Sequence, residues 1–386
     1  MHVLVTTDTI GGVWTYTREL VCGLLDRGHR VTLVSFGRTP TAAQAFWLRH
    51  NNLVYHPTAF PLEWMQGSQA GIAESARHLE RIIHDSRPDV LHFNQFCYGA
   101  LECGIPKVVV AHSDVVSWWN AVHGSDPEPS PWMEWYRTVV SNGLRCADAV
   151  VAPSKWMLEA VYEHFGQSLR GQEFRGRVIY NGRSAKRFLP FAGKTDCVLS
   201  VGRVWDEAKQ ISLLLARDQA VPIRIAGPAQ HPEKLASAYV SMPSGSNIIF
   251  CGEQSEEQLC ALYSDSAAYV ATSRYEPFGL APLEAALSRC ALIANDIPVF
   301  HELWGDAACY FRRNDADELA DTIRMLSEDA WLRCFYADKA YERARERFDA
   351  ERMVTEYEDL YCDLTGQNLT GCTLIGGNLM DERTAA

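Results

Sequence analysis

No stretch of this sequence is apolar for long enough to span a bilayer. Its apolar runs, such as Val108 to Ala111, fall far short of the roughly 20 residues a spanning helix needs. Basic charge is also scarce: 36 Lys and Arg stand against 48 Asp and Glu, a net charge of -12. A broad electrostatic footprint for nucleic acid or anionic lipid is thereby excluded, although peripheral contact with a membrane stays open. The N-terminus, Met1-His2-Val3-Leu4-Val5, starts on a strand-like run without the basic and apolar regions of a signal peptide, so a cytoplasmic protein is expected. The twelve cysteines are scattered, with no CxxC pair and no regular His/Cys spacing, so no metal centre is expected. Cys251, following Ile248-Ile249-Phe250, reads as a small hydrophobe in a reducing compartment. The GxGxxG fingerprint with an acidic residue about twenty positions on is missing too, which argues against a nicotinamide-dependent oxidoreductase.

What is present is a globular composition, 47% hydrophobic and 22% charged, on a chain of 386 residues. That length exceeds what one hydrophobic core usually supports, so two domains are expected. Short apolar runs alternate with amphipathic stretches: Val3 to Thr6, Arg30 to Ser35, Val90 to Phe93, Lys107 to Ala111 and Val150 to Pro153 read as strands between helices. Asn181-Gly182 follows as a turn signal. A second series runs through Cys197 to Val201, Pro222 to Ala226, Asn247 to Phe250, Ala268 to Ala271 and Ala291 to Ala294. The pattern predicts two α/β halves with parallel sheets, over 1–182 and 183–345, and a ligand cleft beyond the carboxyl ends of the strands. Residues 346–386 read as a helix returning to the first half, then a short tail in which Leu364, Leu369, Leu374 and Leu379 recur every five residues, like a fragment of a pentapeptide repeat. About one solenoid turn is too little to stand alone, so the tail is read as docked or frayed, with a partner-binding edge as the alternative.

Residues suited to chemistry gather where strands end. Gly11-Gly12 follows the first strand and opens a helix, a turn that lets backbone N–H groups approach a phosphate. His112 ends the run Lys107 to Ala111 and would be delivered to the cleft. Gly202-Arg203 and Lys209 put a guanidinium and an ammonium after the first strand of the second half, where they would neutralise a diphosphate. Glu276 and Glu284 flank Pro277-Phe278-Gly279-Leu280-Ala281-Pro282-Leu283: the first in a loop, the second in the following helix. Free N–H groups at that helix start favour an anion while the two carboxylates accept hydrogen bonds from vicinal hydroxyls, as a sugar and a ribose present them. Asp315-Ala316-Asp317 falls at a helix start, where N-capping accounts for it.

These residues, with Asn181-Gly182 and the stretch from Phe250-Cys251-Gly252 to Leu262-Tyr263, resemble the retaining GT-B transferases of glycosyltransferase family 4 over about the first nine-tenths of the chain. The resemblance implies a GT-B fold, two Rossmann-like domains facing each other across a cleft, and transfer of a hexose from a nucleoside-diphosphate sugar, UDP favoured, without a metal or other cofactor. It implies that Glu276 binds hydroxyls of the donor sugar and Glu284 the ribose. Arg203 and Lys209 would hold the diphosphate, helped by backbone groups at Gly12, Gly279 and Leu280, with Gly11 and Phe278 also counted in the donor site. Gly252 and Glu253 would border the base, and His112 would contact the transferred sugar. The family often sets lysine five residues after arginine and follows it with glycine, whereas here the interval is six and Gln210 follows. The segment Asn295 to Glu302 also lacks the paired glycines common in the family. Trp14, beside the glycine turn, and Trp118-Trp119, after His112, are the candidates for stacking on an acceptor, which could be a saccharide, a lipid-linked or a small molecule. The competing classes are a non-catalytic nucleotide-sugar-binding protein and a GT-B epimerase or phosphorylase.

Overall fold

The computed structural model describes residues 1–9, 11–166, 176–188, 190, 193–230 and 247–367. Leu369, Leu374 and Leu379 of the five-residue pattern lie outside them.

Two parallel sheets organise the chain. The first contains β1 (His2–Asp8), β2 (Arg30–Phe36), β3 (Leu53–Pro57), β4 (Val90–Phe93), β5 (Lys107–Val110), β6 (Ala149–Ala152) and β7 (Gly176–Val178), in the order β3-β2-β1-β4-β5-β6-β7. The second contains β8 (Thr195–Val201), β9 (Ile223–Ala226), β10 (Ile248–Gly252), β11 (Ser266–Ala271), β12 (Ala291–Asn295) and β13 (Cys309–Phe311), in the order β10-β9-β8-β11-β12-β13. In both, the order reverses beside the first strand, so β1/β4 and β8/β11 are the switch points whose carboxyl ends diverge into a crevice.

Strand alternation explains the layers. Leu4, Val34, Leu91, Val109 and Val150 enter one core cluster, while Val3, Val5, Leu33, Val90, Val108 and Val151 enter the cluster on the opposite face. Both faces are covered by helices, so these strands read as unbroken apolar runs. Three short strands not anticipated from the sequence, β3, β7 and β13, lie at sheet edges.

The helix Ala350–Thr365 lies against the first half. Its Met353, Val354, Tyr357, Leu360 and Tyr361 join the same cluster as Val3 and Val5. It packs on the helix Gly12–Asp26 at Gly23, where a Cβ would stand 2.4 Å from a Val354 methyl. Glu358 extends the contact to Arg27 and to His29, whose Nε2 is 2.6 Å from the carboxylate.

The halves also meet directly. Tyr275 is buried with Val122 and Ala208, and its hydroxyl is 2.9 Å from Ser113 Oγ. Glu302 accepts from the backbone N–H groups of Lys155 at 2.7 Å and Trp156 at 2.8 Å, satisfying the open end of the helix Lys155–Phe165 from across the junction.

Candidate active site

The glycine turn after β1 and the Glu276 loop after β11 face each other. Gly11 has φ +76° and caps the helix Gly12–Asp26. A Cβ on Gly12 would stand 3.3 Å from Leu280 Cδ1, the first residue of the helix Leu280–Leu287. That helix starts on Gly279, at φ +90° and with no side-chain cap, which leaves its first N–H groups available to an anion.

Two cations border this helix start. Lys209 Nζ pairs with Glu276, whose Oε2 also accepts from Ser273 Oγ at 3.1 Å. Lys209 is braced along its length: its stem runs past Gly202, and its carbonyl accepts from Thr272 Oγ1 at 2.6 Å. Arg203 reaches the buried Asp206 at 2.5 Å while 40% of its side chain remains exposed. Its guanidinium also lies 5.2 Å from the centre of the Trp205 ring. Lys209, Glu276, Gly279, Leu280 and Gly12 thus form one contiguous surface. Gly252, at φ +70°, and Glu253 are exposed at the carboxyl end of β10, and Gly227 donates to Gly252 O at 2.8 Å.

His112 belongs to a polar cluster at the carboxyl ends of β4 and β5. Asn94 Nδ2 donates to Thr6 O at 2.6 Å and to Thr17 Oγ1 at 3.2 Å. Its Oδ1 is therefore the acceptor for His112 Nε2, at 2.8 Å. This assignment puts the proton on Nε2 and leaves Nδ1 as a lone pair able to accept from a hydroxyl. The ring stands edge-on to Tyr16 at 4.5 Å. Burial, followed by the neighbouring His92, lowers the His112 pKa to about 3. Burial likewise lowers His92 to about 3, against a smaller opposing effect of Asn94.

Both folded values lie below the ordinary 6.5, so the unfolded chain takes up the protons first as pH falls. The stability these two groups contribute is complete above about pH 6.5 and declines towards pH 3, by up to about 1.4 kcal/mol per pH unit for each group. Glu256 acts in a lower window: burial alone would raise its pKa, but Arg18 and Arg183 hold it at about 2, below the carboxylate value of 4.5. Thermal melts from pH 7 to 4.5 are therefore expected to show a falling Tm. His112→Gln, whose amide still donates to Asn94, should flatten that slope. An unchanged slope would show that His112 is not the titrating group.

Glu284 lies apart from the Lys209–Glu276 pair. Its Oε1 is 3.0 Å from Nε of Arg183, a guanidinium only 1% exposed. Arg183 also contacts Glu19 at 2.5 Å and Glu256 at 3.0 Å, and Arg18 grips Glu256 through two nitrogens at 2.5 Å. Burial alone would lower the Arg183 pKa, but Glu284, Glu19 and Glu256 together raise it above the ordinary guanidinium value, so its charge is permanent.

Two sequence expectations need correction. Trp14 is no acceptor platform: it is 5% exposed, packs against Trp47 at 5.4 Å and donates its indole N–H to Gln44 O. It lies two residues beyond Gly12, and the helical rotation of about 100° per residue turns it into the core. The Phe278 ring is equally inside, edge-on to Phe348 at 5.3 Å, which leaves only its backbone for a ligand. Trp118 and Trp119 are half-buried on the helix Val115–His123, with Trp119 4.2 Å from His123. The Asp315 carboxylate caps its helix, accepting from the N–H groups of Asp317 and Glu318.

Sequence reasoning missed Asn94, Ser273, Arg18, Glu19, Arg183 and Glu256. A signal existed for three: Arg18-Glu19 interrupts an apolar helix face, and Arg183 directly follows the Asn181-Gly182 turn. Among the described residues, no group of three or more His, Cys, Asp or Glu is placed to hold a metal ion. No helix among them is long and apolar enough to cross a membrane.

Two family models match in tandem: Glycosyltransferase Family 4 over residues 10–187 and Glycosyl transferases group 1 over residues 183–347. The O-antigen chain mannosyltransferase RfbU of Salmonella typhimurium is 29% identical over 39% of this chain, and the match covers 44% of that relative's length. The glycogen synthase of Mycobacterium tuberculosis is 26% identical over 91% of each chain. Among solved structures, Anabaena HepE in complex with UDP-glucose superposes with a TM-score of 0.70 at 19% identity, covering 94% of this chain and 100% of that one.

Proposed function

The chain belongs to the family 4, group 1 glycosyltransferases and has their two-domain GT-B fold, and from this premise we propose that it transfers a hexose from a nucleoside-diphosphate sugar, UDP favoured, to a saccharide, lipid-linked or small-molecule acceptor. One observation carries the reading: the Lys209–Glu276 pair stands beside the uncapped helix start at Gly279, with Gly12 of the opposite half in contact.

Glycosyl transfer builds positive charge at the anomeric carbon and negative charge on the departing diphosphate. Donors already fixed where that negative charge grows stabilise the transition state without reorganising. Arg203, Lys209 and the N–H groups after Gly279 are such donors. When a diphosphate arrives, Lys209 is drawn from Glu276 toward it, and the freed carboxylate accepts hydroxyls of the donor sugar. Glu284 receives the ribose diol, and Gly252 and Glu253 border the base. His112 accepts a sugar hydroxyl through Nδ1, and Trp118 and Trp119 flank the acceptor side. Retention of anomeric configuration follows if the acceptor attacks on the face the diphosphate leaves, because Glu276, occupied by hydroxyls, is no nucleophile. The cationic site supplies the charge stabilisation that a metal ion would otherwise provide.

Thermal-shift measurements against UDP, ADP and GDP and their glucose and mannose derivatives test the reading. A ligand at one hundred times its Kd stabilises the folded state by about 2.7 kcal/mol. One nucleotide series is expected to raise Tm in the wild type and to lose that effect in Arg203→Ala. Absence of any response, or an equal response in the variant, would overturn the donor site.

A further inference from the structure

Arg183 is the most buried arginine of the described residues and occupies a revealing point in the chain, the first side chain after the turn that joins the two sheets. Its backbone is held on both sides. Its N–H donates to Phe348 O at 3.0 Å, and a Cβ on the preceding Gly182 would come within 2.4 Å of Asp349 O. Two edges of its guanidinium are hydrogen-bonded, Nη1 to Glu19 on the helix that opens at Gly12 and Nη2 to Glu256 on the helix Glu256–Asp265, and Nε stands in an ion pair 3.0 Å from Glu284. Arg18 and Arg187 complete the balance, at 2.5 Å and 3.6 Å from Glu256. Three carboxylates from separate parts of the sequence thus surround one planar fork.

A carboxylate that recognises a diol must be ionised and must not rotate, since each swing of its torsion breaks the two hydrogen bonds together. Glu284 sits where burial raises its pKa and Arg183 is the chief opposing influence. Its Oε1 lies 3.0 Å from Arg183 Nε and the Tyr263 hydroxyl is a further, weaker partner, so the carboxylate, with its several lone pairs, keeps capacity for a ligand. The fork matters, because a lysine in the same place offers a single point charge and cannot reach three carboxylates from three separate nitrogens. We propose that Arg183 is a positioning residue of the donor site, fixing the Glu284 carboxylate for the ribose hydroxyls, and that Glu19, from the half that carries the acceptor side, anchors it. This rests on the reading of Glu284 as the ribose ligand. It makes nucleotide selection depend on a residue that touches no nucleotide and on a second one in the opposite domain.

The test compares UDP with 2′-deoxy-UDP by calorimetry on the full chain, or the matching adenosine or guanosine pair if that series responds in the thermal-shift panel. The wild type is expected to prefer the ribonucleotide by about tenfold, the effect of one hydrogen bond to a charged group. Glu284→Gln and Arg183→Lys should each lower that ratio to about twofold, and the double variant no further, because both act through one contact. Glu19→Gln should give an intermediate ratio, and it serves if Arg183→Lys fails to fold. A merely structural lesion would weaken both nucleotides equally and keep the ratio. If Glu284→Gln collapses the ratio while folded Arg183→Lys, or folded Glu19→Gln, keeps the wild-type value, the Arg183 assignment is overturned and the donor site stands. If Glu284→Gln itself keeps the ratio, the assignment of the ribose contact fails, and the role of Arg183 with it.

Discussion

Lys209→Ala is expected to lower kcat for glycosyl transfer by about 10²- to 10³-fold, the range found when one fixed donor is removed from a developing anion. Two effects combine. The leaving diphosphate loses an ammonium, and Glu276 loses the cation with which it pairs, so its carboxylate confronts the phosphate charge alone. Lys209→Arg should restore part of the rate, since charge returns while the point contact does not. The stem of Lys209 is partly exposed and its carbonyl, not its ammonium, ties it to Thr272. Folding should therefore survive, with Tm close to the wild type. Turnover within a factor of two of the wild type, in a folded variant assayed with its own donor and acceptor, would remove Lys209 from the leaving-group site.

How much of this was readable in advance follows from the range over which each signal acts. The central strands were readable because both of their faces are buried, which makes them apolar along their whole length. Edge strands have only partial cover: β3 carries Val54 at 55% exposure, and β13 is three residues long, so neither rises above its surroundings in the sequence. Gly11-Gly12, Gly202-Arg203 and Glu276 were readable because each lies in the few residues following a strand, and parallel sheets deliver such residues to one end. The Arg183 cluster obeys no such rule. Its partners lie at positions 19, 256 and 284, brought together only when the helix Gly12–Asp26 settles against the second half. Trp14 and Phe278 failed for the converse reason. Neighbourhood along the chain was read as neighbourhood in space: two residues of helical rotation carry Trp14 from the glycine turn into the core, and Phe278, in the loop ahead of the helix Leu280–Leu287, turns its ring inward.

Val354→Asp should be the most damaging single change away from the site. Val354 is 1% exposed and sits in the notch made by Gly23, within a cluster that includes Leu20, Leu24, Tyr357 and Tyr361. A carboxylate there must either stay charged in an apolar seat or take up a proton, and the cost is about 3–5 kcal/mol. At about 2–4 °C per kcal/mol for domains of this size, Tm should fall by about 6–20 °C, and less at pH 5, where the group protonates more readily. A paired experiment separates shape from charge. Gly23→Ala alone drives its methyl into Val354 Cγ2, at 2.4 Å in the unrelaxed geometry, and should destabilise by about 1–3 kcal/mol through overpacking. Val354→Ala alone removes those methyls and should cost about 2 kcal/mol. Because the clash and the vacated space are in the same place, the double variant should be more stable than the sum of the singles predicts, by about 1 kcal/mol. Strict additivity would mean that the helix Ala350–Thr365 does not seat on Gly23.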